Sequence, residues 1–401
     1  MNKWLSVAAI VVLCLSLVIF PACGGGEEED EEGVTELKFG FGLPVAGTVG
    51  AIMGMPAKYA FKIAVERIGV FEVAGKQYRW KPIFEDNLFT VAGGVASATK
   101  LLYEHNVDFM HQAGIDPGMS AADLCEGVGM ILDVAGGNWD AFGPERPHMF
   151  QVAATWALGY ATFFDWLTKE HPEVERVASV FSDDNMGHQE ADAVKACCDY
   201  YGLEHKNVFL PVETVEQYPT ATSLMPWDPD LVITVLGTAV VDIMWEMGYE
   251  GLTMTSYWLE AHGEDKGWDR CKGHLIIMPH PLGDPWPESA ALAEEFEDRY
   301  GMELVPAAWW TFMVVSVMTD VLKQAGTVDD TDKIIETMES RAGFETQAGP
   351  LYYGLQELNG IGHVAIWPSP IYEIVGDHEY RVITVYTPEE TEALAIEIFK
   401  K

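Results

Sequence analysis

The sequence predicts an α/β protein of two lobes, each with a mostly parallel sheet flanked by helices. Short β-rich runs alternate with helical stretches from residue 37 onward, and this alternation occurs twice, with a break near residue 150. Such alternation favours parallel strands joined by right-handed crossovers. The chain has 401 residues, 49% of them hydrophobic, which is enough for more than one core.

In the first series, β-branched and aromatic residues predict strands at 37–42, 78–84, 107–110 and 129–134. Apolar residues that recur every three or four positions predict helices at 56–68 and 90–104. Pro56 falls in the first helical turn, where its missing N–H is not needed. We expect the apolar faces of both helices to pack on the sheet.

The second series starts after Phe150. Its predicted helices are 156–170, 189–200 and 240–247, and its predicted strands are 177–181, 207–210, 230–235 and 252–257. Past Pro281, helices are predicted at 289–300, 309–324 and 329–340, followed by a β-rich tail over 363–387. The repeated pattern indicates two lobes of one architecture.

The N-terminus has the pattern of an export signal. Lys3 precedes an apolar run over residues 5–20, and Cys23 follows at its end. The alternative is an uncleaved membrane span, but a run of 16 residues is short for a bilayer core that needs roughly 20.

The end of this segment resembles a bacterial lipobox, with the small residue Ala22 before Cys23. We expect residues 1–22 to be a signal peptide and 23–34 to be a lipidated cysteine with an acidic tether. The protein is then extracytoplasmic and held at the membrane by its lipid anchor.

Charge excludes one class of partner. The formal net charge is −38 at pH 7, so phosphate backbones are repelled and nucleic acid is not an expected partner. Past Cys23, four cysteines remain, and they allow three disulfide pairings or buried free thiols, between which the sequence does not choose. They are Cys125, Cys197, Cys198 and Cys271.

Catalytic motifs are absent from the sequence. It has no G-x-S-x-G elbow, no H-E-x-x-H helix and no phosphate-binding P-loop. Residues 183–187 superficially suggest a calcium loop but lack its alternating oxygen ligands, so a solvated loop is favoured. Asp116 or Glu260 as the general base of a hydrolase would lack a paired nucleophile. We expect no enzyme activity, no cofactor and no metal.

An ordered set of diffuse motifs resembles the type I periplasmic binding proteins, specifically the leucine/isoleucine/valine-binding receptors of ABC transporters. The resemblance covers residues 35–387 and rests on the order of segments 37–41, 47–54, 64–68, 84–87, 177–187, 230–237 and 343–350. It implies a clamshell whose lobes are joined by three crossings. It places lobe I at 35–150 plus 285–348, and lobe II at 151–284 plus 349–401.

The resemblance also implies a function. A monomer would trap a small amino-acid-like molecule, hydrophobic or branched-chain, between its lobes and deliver it to an ABC permease in the membrane. A sensor module without transport and a receptor for an amine or aromatic compound are the alternatives. In open parallel sheets, ligands bind beyond the carboxyl ends of the strands.

Carried over residue by residue, the family's ligand site gives a mixed result. The acid that pairs with a ligand ammonium falls on Glu260, beside Trp258. The hydroxyl that binds a ligand carboxylate falls near Ile115 and Asp116, where no serine is present. The second carboxylate loop falls on glycine-rich sequence whose backbone N–H groups remain available, at Ala135, Gly136 and Gly137.

The remaining candidates come from the loops after predicted strands and from the wall after Pro306, which offers Trp309 with Trp310 beside it; the others are Thr48, Asn138, Trp139, Met186 and Thr238. Each choice has a structural alternative. Glu260 can be a surface acid, Asp116 can point to solvent, and the tryptophans can brace the lobes instead of stacking on a ligand.

Overall fold

Two largely parallel sheets, of six and seven strands, organise the chain. In this computed structural model the described residues are 33–136, 139–211, 214, 216–235, 238–277 and 286–400. Residues Thr35–Lys401 form one compact unit. The predicted α/β class with two mostly parallel sheets is confirmed.

The first sheet has the strand order β2-β3-β1-β4-β5-β6. Parallel pairing joins β1 to β4, β4 to β5 and β5 to β6, whereas β2 and β3 form an antiparallel hairpin. The strands are β1 (Val34–Leu43), β2 (Phe71–Val73), β3 (Lys76–Asp86), β4 (Phe109–Ala113), β5 (Leu132–Ala135) and β6 (Met149–Phe150).

Three helices accompany this sheet, namely α1 (Met55–Ile68), α2 (Val91–Lys100) and α3 (Ile115–Val128). A short helical turn, Gly47–Val49, and a π-helical turn, Gly50–Gly54, lead into α1, and a second π-helical turn, Leu101–His105, extends α2. A 3₁₀ turn, Trp139–Ala141, lies between β5 and β6. The predicted helices at 56–68 and 90–104 are confirmed.

The sequence reading missed α3 because Pro117, Gly118 and Gly127 resemble a loop. Pro117 is tolerated since the first helical turn needs no N–H donor there. A Cβ atom on Gly118 would lie 2.2 Å from Val134 Cγ1. The glycine therefore allows α3 to pack tightly on β5.

The second sheet has the strand order β16-β15-β11-β10-β9-β7-β8. Strands β7 to β11 pair in parallel, and β15 and β16 add two antiparallel strands at one edge. They are β7 (Arg176–Ser182), β8 (Glu204–Leu210), β9 (Leu231–Thr234), β10 (Leu252–Thr255), β11 (Leu275–Ile276), β15 (Ser369–Gly376) and β16 (Glu379–Tyr386).

The helices of this half are α4 (Trp156–Glu170), α5 (Asn185–Tyr201), α6 (Tyr218–Leu224), α7 (Thr238–Glu246), α8 (Glu260–Lys266) and α9 (Trp268–Cys271), with a 3₁₀ turn at Met225–Trp227. The predicted helix at 156–170 is confirmed at both ends. Helix α6 was not predicted, because its seven residues are too few to show a helical period.

Elements of the C-terminal part of the chain contribute to both halves of the molecule. Helices α10 (Pro287–Tyr300), α11 (Pro306–Ala325) and α12 (Thr331–Glu339) precede a small antiparallel sheet of β12 (Phe344–Thr346), β13 (Gly349–Gly354) and β14 (Val364–Ile366), with α13 (Gln356–Asn359) between the last two. The final helix, α14 (Pro388–Phe399), packs on α4. It was missed although Thr387 and Glu390 form a capping box, which signals a helix start.

Helix α11 is buried on nearly all sides and packs against α1 of the first half. Trp80 Nε1 of β3 donates a hydrogen bond of 2.7 Å to Thr319 Oγ1 of this helix. No helix among the described residues is both long and apolar enough to cross a bilayer. The apolar side chains of α11 are buried within the protein.

Two of the segments that join the halves run side by side. Gln151 pairs with Val364, and Trp367 Nε1 donates a hydrogen bond of 2.7 Å to the carbonyl of Val152. The exact lobe boundaries stay a prediction.

The four cysteines of the folded part are buried and form no disulfide with one another; they are Cys125, Cys197, Cys198 and Cys271. Burial raises the pKa of the Cys125 and Cys198 thiols to about 12 and that of Cys271 to about 11. Burial also raises the pKa of Cys197 well above its usual value. The sequence left disulfides and buried free thiols open, and the structure confirms buried free thiols.

A buried asparagine links the ends of two strands of the first sheet, β1 and β4, through hydrogen bonds. Asn87 is 0% exposed. Its Nδ2 donates to the carbonyls of Gly42 and Ala113, each at 2.9 Å, and to Gln112 Oε1 at 3.2 Å. Its Oδ1 accepts from the Phe89 N–H at 3.0 Å, which holds a loop where Phe89 has a positive φ of 54°. One amide thus joins β1, β4 and this loop.

We predict that Asn87→Ala lowers the free energy of unfolding by about 3 kcal/mol, because buried acceptors lose their donor. Asn87→Asp should be at least as damaging, since it places a carboxylate oxygen against three acceptors. Gln77→Ala, at an exposed position, should change the value by less than about 0.5 kcal/mol. Urea denaturation measures all three, and equal effects at both sites would contradict the role of Asn87.

Candidate functional site

A cavity of about 520 Å³ lies where the carboxyl ends of both sets of parallel strands meet. Its lining includes residues that follow β1, β4 and β5 of the first sheet and β7, β8, β9 and β10 of the second. Parallel pairing directs all these loops to the same edge of each sheet. The volume falls in the usual range for small-molecule sites.

The cavity walls are mainly apolar. The lining side chains include Leu43, Ile52, Met53, Phe89, Val180, Phe181, Leu210 and Leu259. No lysine or arginine appears in the described lining, and the charged or titratable residues there are His111, Asp116, Asp184 and Tyr257. The cavity therefore suits a molecule with a large apolar body.

Three aromatic side chains from both halves form one wall. The rings of Trp156 and Trp310 meet edge to face with centroids 5.5 Å apart, and Tyr257 meets Trp310 at 6.4 Å. Trp156 Nε1 donates to the carbonyl of Ser256 at 3.1 Å, which fixes its ring. Trp310 Nε1 is buried and has no hydrogen-bond partner among the described residues.

A histidine and an aspartate of the first sheet lie beside the cavity. His111 of β4 lines it, and His111 Nδ1 lies 2.6 Å from Asp133 Oδ2 of β5. Asp133 Oδ1 accepts a hydrogen bond from the Val152 N–H at 2.7 Å. The pair is 2% exposed at both residues. The carboxylate thus connects the imidazole to a segment that joins the two halves.

Asp116 makes a contact across the cavity. Asn185 Nδ2, at the start of α5, donates to Asp116 Oδ1 at 2.5 Å. The neighbouring Asp184 caps α5, and its Oδ1 accepts from the Gly187 N–H at 2.8 Å and from Ser182 Oγ at 2.7 Å. Both acids therefore have partners within the protein.

Five of the residues chosen from sequence line this cavity: Ile115, Asp116, Ala135, Gly136 and Met186. Gly137 and Asn138 lie outside the described residues, as do the side chains of Thr48 and Thr238. Cys23 also lies outside the described residues.

The structure places Glu260 and Trp258 away from the described cavity lining. Glu260 Oε2 lies 3.0 Å from His378 Nδ1, and Tyr380 Oη donates to Glu260 Oε1 at 3.3 Å. Trp258 is 1% exposed and its Nε1 donates to Tyr380 Oη at 3.0 Å. Their ligand role stays a prediction, and this cavity does not support it.

Trp139 and Trp309 also lie outside the described lining. Trp139 stacks on Phe399 with ring centroids 4.2 Å apart, and Trp309 packs against Trp367 at 5.2 Å. Both tryptophans make packing contacts between segments that are distant in sequence.

The sequence analysis missed the cavity residues His111, Trp156 and Tyr257. Of the two tryptophans that it expected in the wall after Pro306, only Trp310 belongs to the described lining. The predicted strand ended at residue 110, one position before His111, and Trp156 was read only as the start of a helix. Trp310 adjoins the chosen Trp309, but on a helix adjacent residues face different directions. The helical register therefore decides which ring meets the cavity.

A buried carboxyl lies directly behind the aromatic wall. Glu190 of α5 is 3% exposed. Its Oε2 accepts from Tyr160 Oη at 2.5 Å and from Ser256 Oγ at 2.9 Å. Burial raises the pKa of Glu190 to about 8. Ser256 links this carboxyl to Trp156 and precedes Tyr257, so Glu190 supports two of the wall's aromatic residues.

No group of His, Cys, Asp and Glu side chains in the described part of the chain is arranged to hold a metal ion.

Comparison with known proteins shows the family and the fold. The periplasmic binding protein family model matches residues 36–376. A leucine binding protein of Thermotoga maritima superposes with TM-score 0.72 at 16% identity, covering 88% of this chain and 99% of that chain. A Rhodopseudomonas palustris solute binding protein in complex with 3,4-dihydroxy benzoic acid gives 0.74 at 18%, covering 88% and 98%.

A fatty acid ABC transporter substrate-binding protein of Thermomonospora curvata gives TM-score 0.73 at 14% identity, covering 90% of this chain and 95% of that chain. No curated protein matches the chain significantly. At these identities the solved structures establish the shared fold.

The Glu190 carboxyl gives the fold a measurable pH dependence. Its pKa is about 8 in the folded protein and near the ordinary 4.5 when unfolded. Between these values the folded state holds a proton that the unfolded chain has released. This contribution to stability is complete below pH 4.5 and falls as pH rises, by up to about 1.4 kcal/mol per pH unit.

We predict that Glu190→Gln removes this contribution to the decrease of the free energy of unfolding with rising pH, because the amide does not titrate. The free energy of unfolding is measured at pH 5.5 and 8.5 for wild type and for Glu190→Gln. The difference between the two proteins isolates the contribution of Glu190, since they share all other titrating groups. Glu72→Gln, at an exposed acid, is the control. Equal slopes in wild type and Glu190→Gln would show that Glu190 does not bind this proton.

Proposed function

The chain belongs to the periplasmic binding protein family, and from that premise we propose that it captures a small, largely apolar organic molecule for an ABC importer. Members of this family are receptors rather than enzymes. The observation that carries the proposal is the cavity of about 520 Å³ between the strand ends of both sheets. A ligand there contacts both halves at once.

The apolar and aromatic walls define the ligand that we propose. Burying apolar surface contributes about 25 cal/mol per Å², and aromatic rings add favourable contacts with a flat or aliphatic body. The similar structures include proteins whose names specify leucine, 3,4-dihydroxy benzoic acid and fatty acid. For this chain we propose hydrophobic amino acids and apolar carboxylic acids as the classes to test.

Closure of two lobes accounts for capture. In this proposal lobe I is 35–150 plus 285–348, and lobe II is 151–284 plus 349–401. The hydrogen bond from Asn185 to Asp116 joins the first turns of two helices that this proposal assigns to different lobes, so it exists only when the lobes are close. A ligand that contacts both lobes shifts the equilibrium toward that state.

We further propose that the N-terminal segment is a signal peptide and that Cys23 carries lipid. The acid-rich residues 27–32 repel one another and favour an extended tether. The folded part would then remain near the membrane surface, where the permease lies.

We predict that a saturating ligand makes the protein more compact. Hydrophobic amino acids, benzoates and short fatty acids can be screened by thermal shift, since a ligand at 100 times its Kd stabilises the fold by about 2.7 kcal/mol. Small-angle scattering should then show a smaller radius of gyration with a tight binder. A tight binder that leaves the radius unchanged would contradict a hinged closure.

We predict that Cys23→Ala abolishes membrane attachment, because an acidic protein has no electrostatic affinity for anionic lipid. Membrane fractionation and mass spectrometry of the N-terminal peptide provide the measurement. Wild-type protein recovered without lipid on Cys23 would refute the anchor.

A further inference from the structure

The strongest unassigned feature of the cavity is the histidine–aspartate pair. Asp133 holds His111 through Nδ1, so the opposite nitrogen, Nε2, is left to face the cavity that this side chain lines. Nε2 has no hydrogen-bond partner among the described residues. Phe41 packs against the imidazole at a centroid distance of 5.2 Å and helps to fix the ring.

The burial of Asp133 bears on the charge of the imidazole. A buried carboxylate is stable when its charge is balanced and its oxygens are hydrogen-bonded. Asp133 accepts one hydrogen bond from the Val152 N–H, but that donor is neutral. A proton on both nitrogens of His111 makes the pair neutral and turns Nε2 into a donor.

Other titratable groups nearby do not compete for this role. Asp116 accepts from Asn185, and Asp184 accepts from Gly187 and Ser182. Tyr353 lies near Asp133, and burial together with that carboxylate raises the pKa of its phenol well above the usual value. Tyr353 therefore stays neutral.

We propose that His111, positioned by Asp133, binds the carboxylate of an apolar ligand through Nε2–H. This assignment rests on the proposed function and specifies which group the ligand carries. It also accounts for a gap in the sequence, where Ile115 and Asp116 stand in place of the expected hydroxyl. A charge-assisted hydrogen bond from imidazolium supplies what that hydroxyl would have supplied.

The test uses probes that differ in one group. Benzoate, benzamide and benzylamine share a ring, and hexanoate and hexanamide form an aliphatic pair. Binding is measured by calorimetry and by tryptophan fluorescence, since Trp156 and Trp310 line the cavity. The variants are His111→Gln and Asp133→Asn. The matched control is His274→Gln, a buried histidine outside the described lining whose Nδ1 lies 2.7 Å from Thr253 Oγ1.

We expect each acid to bind at least about tenfold more tightly than its amide. His111→Gln should remove that preference while leaving amide affinity within about threefold. Asp133→Asn should weaken acid binding too, and His274→Gln should leave the preference intact. Thermal unfolding identifies any variant that does not fold. If Asp133→Asn does not fold, the test of the carboxylate site rests on His111→Gln.

Two results would overturn the assignment while leaving a solute receptor intact. One is an amide or benzylamine that binds as tightly as the acid, which would mean that Nε2 is an acceptor. The other is an acid preference that survives in His111→Gln. Failure of every probe to bind would instead contradict the proposed function itself.

Discussion

Parallel strand pairing is the constraint on which the rest of the molecule depends. Because parallel strands point the same way, every loop that follows a strand leaves its sheet at the same edge. The paired registers of β1, β4 and β5, and of β7, β8, β9 and β10, bring seven such loops to one cavity when the two sheets face each other. Binding residues thus come from positions far apart in the chain.

The polar groups around this cavity differ in how much of their hydrogen-bonding capacity the protein itself uses. Asp184 caps a helix, and Asp116 accepts from a residue on the opposite side. His111 lines the cavity, and among the described residues its Nδ1 has a hydrogen-bond partner in Asp133. Since Asp133 also accepts from the Val152 N–H, two hydrogen bonds connect His111 to the backbone that joins the halves.

The sequence predicted the fold better than the site, for physical reasons. Helix 156–170 was predicted at both ends because its apolar face repeats clearly, whereas α3 was hidden by residues that suit close packing but resemble a loop. Glu260 was a reasonable candidate by family position. Its partners His378 and Tyr380 lie on a hairpin more than a hundred residues later. Local patterns contain no information about such pairings.

The buried thiols have a consequence for the lifetime of the protein in an oxidising compartment. Only the thiolate attacks a disulfide, and the raised pKa of Cys125, Cys197, Cys198 and Cys271 leaves almost none in the folded state. Unfolding exposes all four at once, two of them adjacent in sequence. Oxidation of the open chain would then block refolding. The rate of unfolding, more than the equilibrium between states, would set how long the receptor survives.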